Sequence, residues 1–182
     1  MKVYRIIVIS MLALLLSHPS FAMTNEEERR FKIITNMSLE ELGQTASKIL
    51  NVDYPDTDWA TYNSPNYVYV DLATEMAYKV AVKNSRLLGI VNVSDDGIVI
   101  PCYCTCDSFG HDNLLYCFYK NGDLKDGFDN HGAQCAVCVR QALLAFLWND
   151  LGASHDEIMK GMKEKFATLI EKYHQHEHQC FY

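Results

Sequence analysis

Six of the chain's seven cysteines fall between positions 102 and 138, with His111 and His131 among them, and any fold this sequence adopts has to house that set. From Pro101 the order is Cys102-Tyr-Cys104-Thr-Cys106, then Gly110-His111, Cys117, His131 and Cys135-Ala-Val-Cys138. Six sulfurs and two imidazoles give eight soft or borderline donors. That matches two four-coordinate ions, because structural zinc takes four Cys or His ligands, and it equally allows one ion with supporting residues. In extended chain, residues two apart point to the same side, so Cys102, Cys104 and Cys106 can converge on one ion or on two close ones. They are poorly placed to bond to one another, since a disulfide needs Cα separations and Cβ directions in a narrow range. Bridges from this strand to Cys117, Cys135 or Cys138 stay open.

The Cys135-x-x-Cys138 pair is expected at the start of a helix. There the free backbone N–H groups and the helix dipole favour thiolate over thiol. Thiolate both binds metal and attacks disulfides, so the pair alone reads either as a metal clamp or as a redox couple. Beside His131 and the triple alternation, the clamp is the better reading. Each member has a plainer role when taken singly: Cys117 as a core residue, His111 as a turn residue after Gly110, His131 as a helix cap. For the set, the three readings are metal binding, thiol–disulfide chemistry and structural disulfides.

The chain's start bears on that choice. Lys2 and Arg5 precede an apolar run over residues 6–16 broken only by Ser10, and Ser20-Phe21-Ala22 has small residues at −3 and −1 of a cleavage site after Ala22. The run is about half the ~20 residues a spanning helix needs. A signal peptide over residues 1–22 is therefore expected, with a periplasmic or secreted mature chain, no stable membrane span after cleavage, and no cysteine placed for a lipid anchor. Export favours disulfides, but seven sulfurs leave one over. About 160 residues remain, enough for one domain with its own apolar core. Removing Lys2 and Arg5 from sixteen basic side chains leaves fourteen against twenty-three acidic ones. A basic face for a phosphate backbone is missing, so nucleic acid is not an expected partner.

Hydrophobic periodicity predicts a mainly α fold with a small β-hairpin: a single compact helical domain whose C-terminal helical hairpin carries CxxC at its start. Residues 25–51 read as helix, capped by Asn25 and broken near Asn36. Pro55, Pro65 and polar neighbours mark residues 52–65 as loop. A helix follows over residues 67–88 with Gly89 as its stop, then two β-rich runs around Ser94-Asp95-Asp96-Gly97 form the hairpin. Asn130 is expected to cap a helix over residues 132–151 ended by Gly152. Ser154-His155-Asp156-Glu157 has the capping-box pattern, and Ile158, Met162, Phe166, Leu169, Ile170 and Tyr173 form the stripe of the last helix. The organisation is thus signal peptide 1–22, helical segment and linker 23–65, Cys/His-rich domain 66–173, and a tail 174–182 containing His174, His176, His178 and Cys180. Such a tract binds metal loosely, or is a solvated terminus.

The segment Pro101-Cys102-Tyr-Cys104-Thr-Cys106, with Gly110-His111, Cys117, Phe128-Asp129, His131 and Cys135-x-x-Cys138, resembles the PCYCGC-motif family of small exported bacterial proteins and lipoproteins. The resemblance covers residues 72–166 and implies a helical tail like residues 152–166. Two features depart from the family. Thr105 stands where it has glycine, and residues 91–99 look like an insertion. A weaker likeness covers residues 135–166: Cys135-x-x-Cys138, a helix, Gly-x-Ser-x-x-Glu-Ile and a second helix resemble the helical hairpin of CcmH-type cytochrome c maturation thiol reductases. That likeness gives no role to Cys102, Cys104, Cys106 or the histidines.

Hydrolase signatures are missing: there is no Gly-x-Ser-x-Gly elbow, phosphate loop or His-Glu-x-x-His. Asp107, Asp126 and Asp129 read as solvated charge or as partners of ligands. The sequence therefore points away from an enzyme and towards an exported carrier, buffer or sensor of one or two copper or zinc ions. Its expected ligands are Cys102, Cys104, Cys106, His111, Cys117, His131, Cys135 and Cys138, and its expected partners are the metal ion and an envelope metalloprotein or transporter. The alternatives are a thiol–disulfide oxidoreductase using Cys135 and Cys138, and a disulfide-stabilised structural domain.

Overall fold

The computed structural model describes residues 23–89, 100–104, 111 and 113–177. Its first two helices begin with capping boxes. Thr24 opens α1 (Asn25–Asn36): its hydroxyl accepts from the Glu27 N–H, and the Glu27 carboxylate accepts from the Thr24 N–H at 2.7 Å. The cap is thus Thr24 rather than the expected Asn25: the Thr24 hydroxyl and the Glu27 carboxylate close the box reciprocally, and Asn25 becomes the first helical residue. The expected break near Asn36 occurs at Met37. Ser38 and Glu41 repeat the same box to start α2 (Leu39–Asp53).

Residues 67–88 hold the expected helix over part of their length. Asn66–Tyr69 is a 3-10 turn, and Asp71 then starts α3 (Leu72–Lys83) by accepting from the Thr74 N–H at 2.8 Å and its hydroxyl at 3.1 Å. After Asn84, α4 (Ser85–Leu88) stops at Gly89, as its position predicted. The expected hairpin falls on residues 90–99, outside the described residues. Among the described residues no sheet forms; the β pairing present is a single antiparallel bridge, Tyr119 with Phe128.

The helix expected over residues 132–151 is two pieces, α5 (His131–Gln134) and α6 (Ala136–Asp150). Cys135 separates them with extended backbone, φ −126° and ψ 100°. Gly152, at φ +95°, then allows the turn that lets the Ala153 N–H reach the Trp148 carbonyl at 3.0 Å. Ser154 and Glu157 form the expected capping box at the start of α7 (His155–Glu177).

The middle of α6 is apolar on every side, which requires neighbours all round. Residues 141–148 are all buried. α2 and α3 pack against α6 and against each other, closely enough at Gly43 that a Cβ there would sit 2.8 Å from Ala73 Cα. α1 adds Phe31, stacked on Trp148 at 4.3 Å between ring centres, and α7 adds Ile158, Met162 and Phe166. Each buried Leu, Phe or Met contributes about 1.5–3 kcal/mol over leaving it in water. The N-terminal segment is therefore packed on the helix that carries Cys138. No helix among the described residues is long and apolar enough to cross a membrane. Residues 1–22 and 178–182 lie outside them, and the backbone of α7 runs on through His174 and His176.

Candidate metal centre

Four separate pieces of chain supply the cysteines and histidines. The first, residues 100–104, is tied to α6 by Gln141. This fully buried side chain accepts from the Tyr103 N–H at 3.1 Å and donates to the Pro101 carbonyl at 2.8 Å. Two hydrogen bonds from one carboxamide thus satisfy the backbone on both sides of Cys102. The Tyr103 ring stacks on Phe166 of α7 at 5.9 Å, and Ile100 accepts from the Leu114 N–H at 2.8 Å. This last bond brings the second piece alongside.

That second piece is the 3-10 turn Leu114–Cys117. Asn113 starts it by accepting from the Leu115 N–H at 3.0 Å, and it delivers Cys117 fully buried. His111 precedes it.

The third piece carries His131. Asn130 is the N-cap residue of the short α5, as expected, but its side chain makes no capping bond; the Asp129 carboxylate instead accepts from the His131 N–H at 2.8 Å. The Asp129 N–H donates to the Phe118 carbonyl, and the Tyr78 hydroxyl donates to the Asp129 carbonyl while accepting from the Ala133 N–H at 3.1 Å. The turn also lies hard against the second piece: a Cβ on Gly132 would be 2.8 Å from the Cys117 carbonyl. The fourth piece is the start of α6, with Cys135 at its N-cap and buried Cys138 in its first turn.

These pieces bring seven of the eight expected ligands into one cluster. Cys102 Sγ lies 3.0 Å from Cys104, 3.2 Å from Cys117 and 3.5 Å from Cys138. Cys138 Sγ is 3.3 Å from Cys117 and 3.4 Å from Cys104. His131 Nε2 is 3.7 Å from Cys104 Sγ, His111 Nδ1 is 3.8 Å from Cys117 Sγ, and the two imidazoles meet edge to face at 4.9 Å. Three sets have donor atoms mutually within 4.8 Å: Cys104, His131, Cys135 and Cys138; Cys102, Cys117 and Cys138; and His111, Cys117 and His131. The eighth residue, Cys106, lies outside the described residues with Thr105, Asp107 and Gly110. Cys102, Cys117, Cys135 and Cys138 are free thiols, whereas Cys104 is disulfide-bonded, so Cys104 becomes a donor on reduction.

The electrostatics follow from buried sulfurs that hydrogen-bond to one another. Hydrogen bonds from Cys117 and Cys138 pull the Cys102 thiol below its ordinary range, against the effect of burial. The same contacts with Cys102 push Cys117 and Cys138 upward. Cys135 is lowered to about 6, first by a hydrogen bond from Cys138 and then, against desolvation, by the N–H groups of Cys138 and Val137 at the helix start. A buried cluster of thiols that hydrogen-bond to one another, some pulled down and others pushed up, is suited to a cation, which takes the place of protons on binding.

Gln141 and Tyr78 were missed as site residues from the sequence alone. Gln141 had a signal, being a polar residue one turn past Cys138 at the head of the apolar run 142–148; Tyr78 had none. Of the acidic residues, Asp129 positions His131 through the backbone, while exposed Asp126 accepts from Asn121 at 3.1 Å away from the cluster.

Residues 68–176 match the family model described as "Protein of unknown function with PCYCGC motif". No curated protein matches the chain. No solved structure matches it either.

Proposed function

The chain belongs to the family of proteins of unknown function with the PCYCGC motif, and within that family we propose that it is an exported metal-binding protein: a carrier, buffer or sensor of Cu(I) or zinc outside the cytoplasm. One observation carries the reading. Five sulfurs and two imidazoles from four pieces of chain meet in one largely buried cluster, with sulfur–sulfur distances of 3.0–3.5 Å between Cys102, Cys104, Cys117 and Cys138. Thiolate and imidazole donors select soft and borderline ions. The export half of the reading rests on the basic, apolar and small-residue order of residues 2–22. Delivery to an envelope metalloprotein or transporter fits a site whose histidines and Cys135 are only partly buried. The test is elemental analysis of protein recovered from the periplasm, paired with thiol counting. Copper or zinc at one or two per chain is expected. Protein without metal and with every cysteine oxidised overturns the reading.

A second reading has a specific observation of its own. Cys135 is a partly exposed thiol held near 6 at a helix start, with Cys138 buried behind it, as in an attacking and resolving pair. Cys135→Ser separates the two readings. Loss of disulfide exchange at unchanged metal content favours redox chemistry, and loss of metal favours the ion site.

A further inference from the structure

The cluster holds more donors than one ion of this class accepts, and its overlaps fall on particular atoms. A four-coordinate ion uses four Cys or His ligands. Cys104, His131, Cys135 and Cys138 are such a set, three sulfurs and one imidazole, with all donor atoms mutually within 4.8 Å. Cys102, Cys117 and Cys138 are a second three-sulfur set under the same limit. Cys138 belongs to both. Its sulfur lies 3.4 Å from Cys104 in the first set and 3.5 Å and 3.3 Å from Cys102 and Cys117 in the second.

We propose that the protein binds two divalent ions of the zinc type in one binuclear centre, with the Cys138 thiolate as the bridge between them. The first ion takes Cys104, His131, Cys135 and Cys138. The second takes Cys102, Cys117 and Cys138, with His111 as its fourth donor, since His111 Nδ1 lies 3.8 Å from Cys117 Sγ. Two four-coordinate ions sharing one sulfur need seven donors, and the described cluster supplies seven. This rests on the metal-binding reading above and adds to it the number of ions, their charge class and the shared ligand.

Charge selects the divalent ion. Five thiolates bring five negative charges into a site where Cys102, Cys117 and Cys138 are buried. Buried charge is costly unless compensated. Among the described residues, the neighbours that act most on Cys102 and Cys117 are other cysteines and His131. Two divalent ions leave one net negative charge, whereas two monovalent ions leave three. Sharing Cys138 lets seven donors serve two four-coordinate ions, where two isolated sites would need eight.

The test loads the full chain, reduced with a phosphine to free Cys104, with ¹¹³Cd²⁺ as the probe, using native mass spectrometry and ¹¹³Cd NMR. Two cadmium ions per chain are expected, giving two resonances in the mixed sulfur–nitrogen range, each split by the other through the shared sulfur. His111→Ala and His131→Ala, which change partly exposed donors, are expected to move one resonance each and leave the other in place. Cys138→Ser is expected to abolish the splitting and to lower the stoichiometry to one or none. One ion per chain, or two unsplit resonances, overturns the bridged centre while leaving a metal protein. No bound cadmium at all overturns the metal-binding reading itself.

Discussion

The Gln141 carboxamide accepts a hydrogen bond from the Tyr103 N–H at 3.1 Å, so a residue of α6 fixes the backbone that carries Cys102 and Cys104. Its other end donates to the Pro101 carbonyl at 2.8 Å. Cys138 stands one turn earlier on the same helix. One side chain therefore sets the distance between the cysteine strand and the CxxC sulfurs.

Gln141→Leu keeps the volume and removes both bonds, leaving the Tyr103 N–H and the Pro101 carbonyl, in half-buried residues, without this partner. Such orphans cost about 1–3 kcal/mol each. The variant is expected to unfold at lower denaturant with an unchanged slope, and to bind zinc at least tenfold more weakly in competition with a chromophoric chelator. Wild-type zinc affinity in a destabilised variant would show that the carboxamide supports the fold alone.

Cys135 gives a pH prediction with a definite sign. Its thiol is lowered to about 6 by the hydrogen bond from Cys138 and the N–H groups at the start of α6. The thiolate therefore exists above that pH and is lost as pH falls through it. In the reduced, metal-free protein, iodoacetamide is expected to modify Cys135 at a nearly constant rate from pH 8 to about 7, falling roughly tenfold per unit below about 5.5. Cys135→Ser removes this fast phase. A rate still climbing between pH 7 and 8.5 would mean an ordinary thiol.

Metal removal should be felt across the fold, because the donors tie residues 100–104 and 111–117 to α5 and α6. A ligand bound only to the folded state at a hundred times its Kd stabilises it by about 2.7 kcal/mol. For a domain of this size that is roughly 5–10 °C in Tm. Adding a strong chelator to zinc-loaded protein is expected to lower Tm by that amount or more, reversibly on adding zinc back. An unchanged Tm would detach the cluster from the fold's stability.

The parts of this architecture legible in the sequence are those set by local chemistry. Ser154 with Glu157, Gly152, Gly89 and the stripe Ile158, Met162, Phe166 each act within a turn or two, and each appears where its pattern placed it. Boundaries were lost where two local signals competed. Asn25 is a good cap by type, yet Thr24 wins because Glu27 completes its box. Periodicity carried helix through Tyr67–Tyr69 and through Cys135, where the Asp71 cap and the extended Cys135 backbone end it. The donor set was legible because cysteine and histidine are rare and their spacing is visible. What holds the donors was not, because Gln141 reaches residues 38 and 40 positions away and Tyr78 reaches residues 51 and 55 away. No local pattern encodes such contacts.

Tyr78 allows the positioning of His131 to be tested without touching a sulfur or an imidazole. Its hydroxyl donates to the Asp129 carbonyl and accepts from the Ala133 N–H, holding the turn that contains His131 from both ends. The ring itself is fixed independently, edge-on to Phe118 at 5.0 Å and Phe128 at 5.8 Å. Tyr78→Phe should therefore keep the aromatic packing and release only the turn. Losing two hydrogen bonds worth about 0.5–1.5 kcal/mol each lowers stability by roughly 1–3 kcal/mol. Because the Asp129 carboxylate still accepts from the His131 N–H, the turn should loosen rather than unfold. The expected signature is faster zinc release in a stopped-flow chelator chase, with the metal stoichiometry unchanged. His131→Ala should show no further acceleration when combined with Tyr78→Phe, since both act through one imidazole. Additive effects of the two substitutions would place the influence of Tyr78 elsewhere in the cluster.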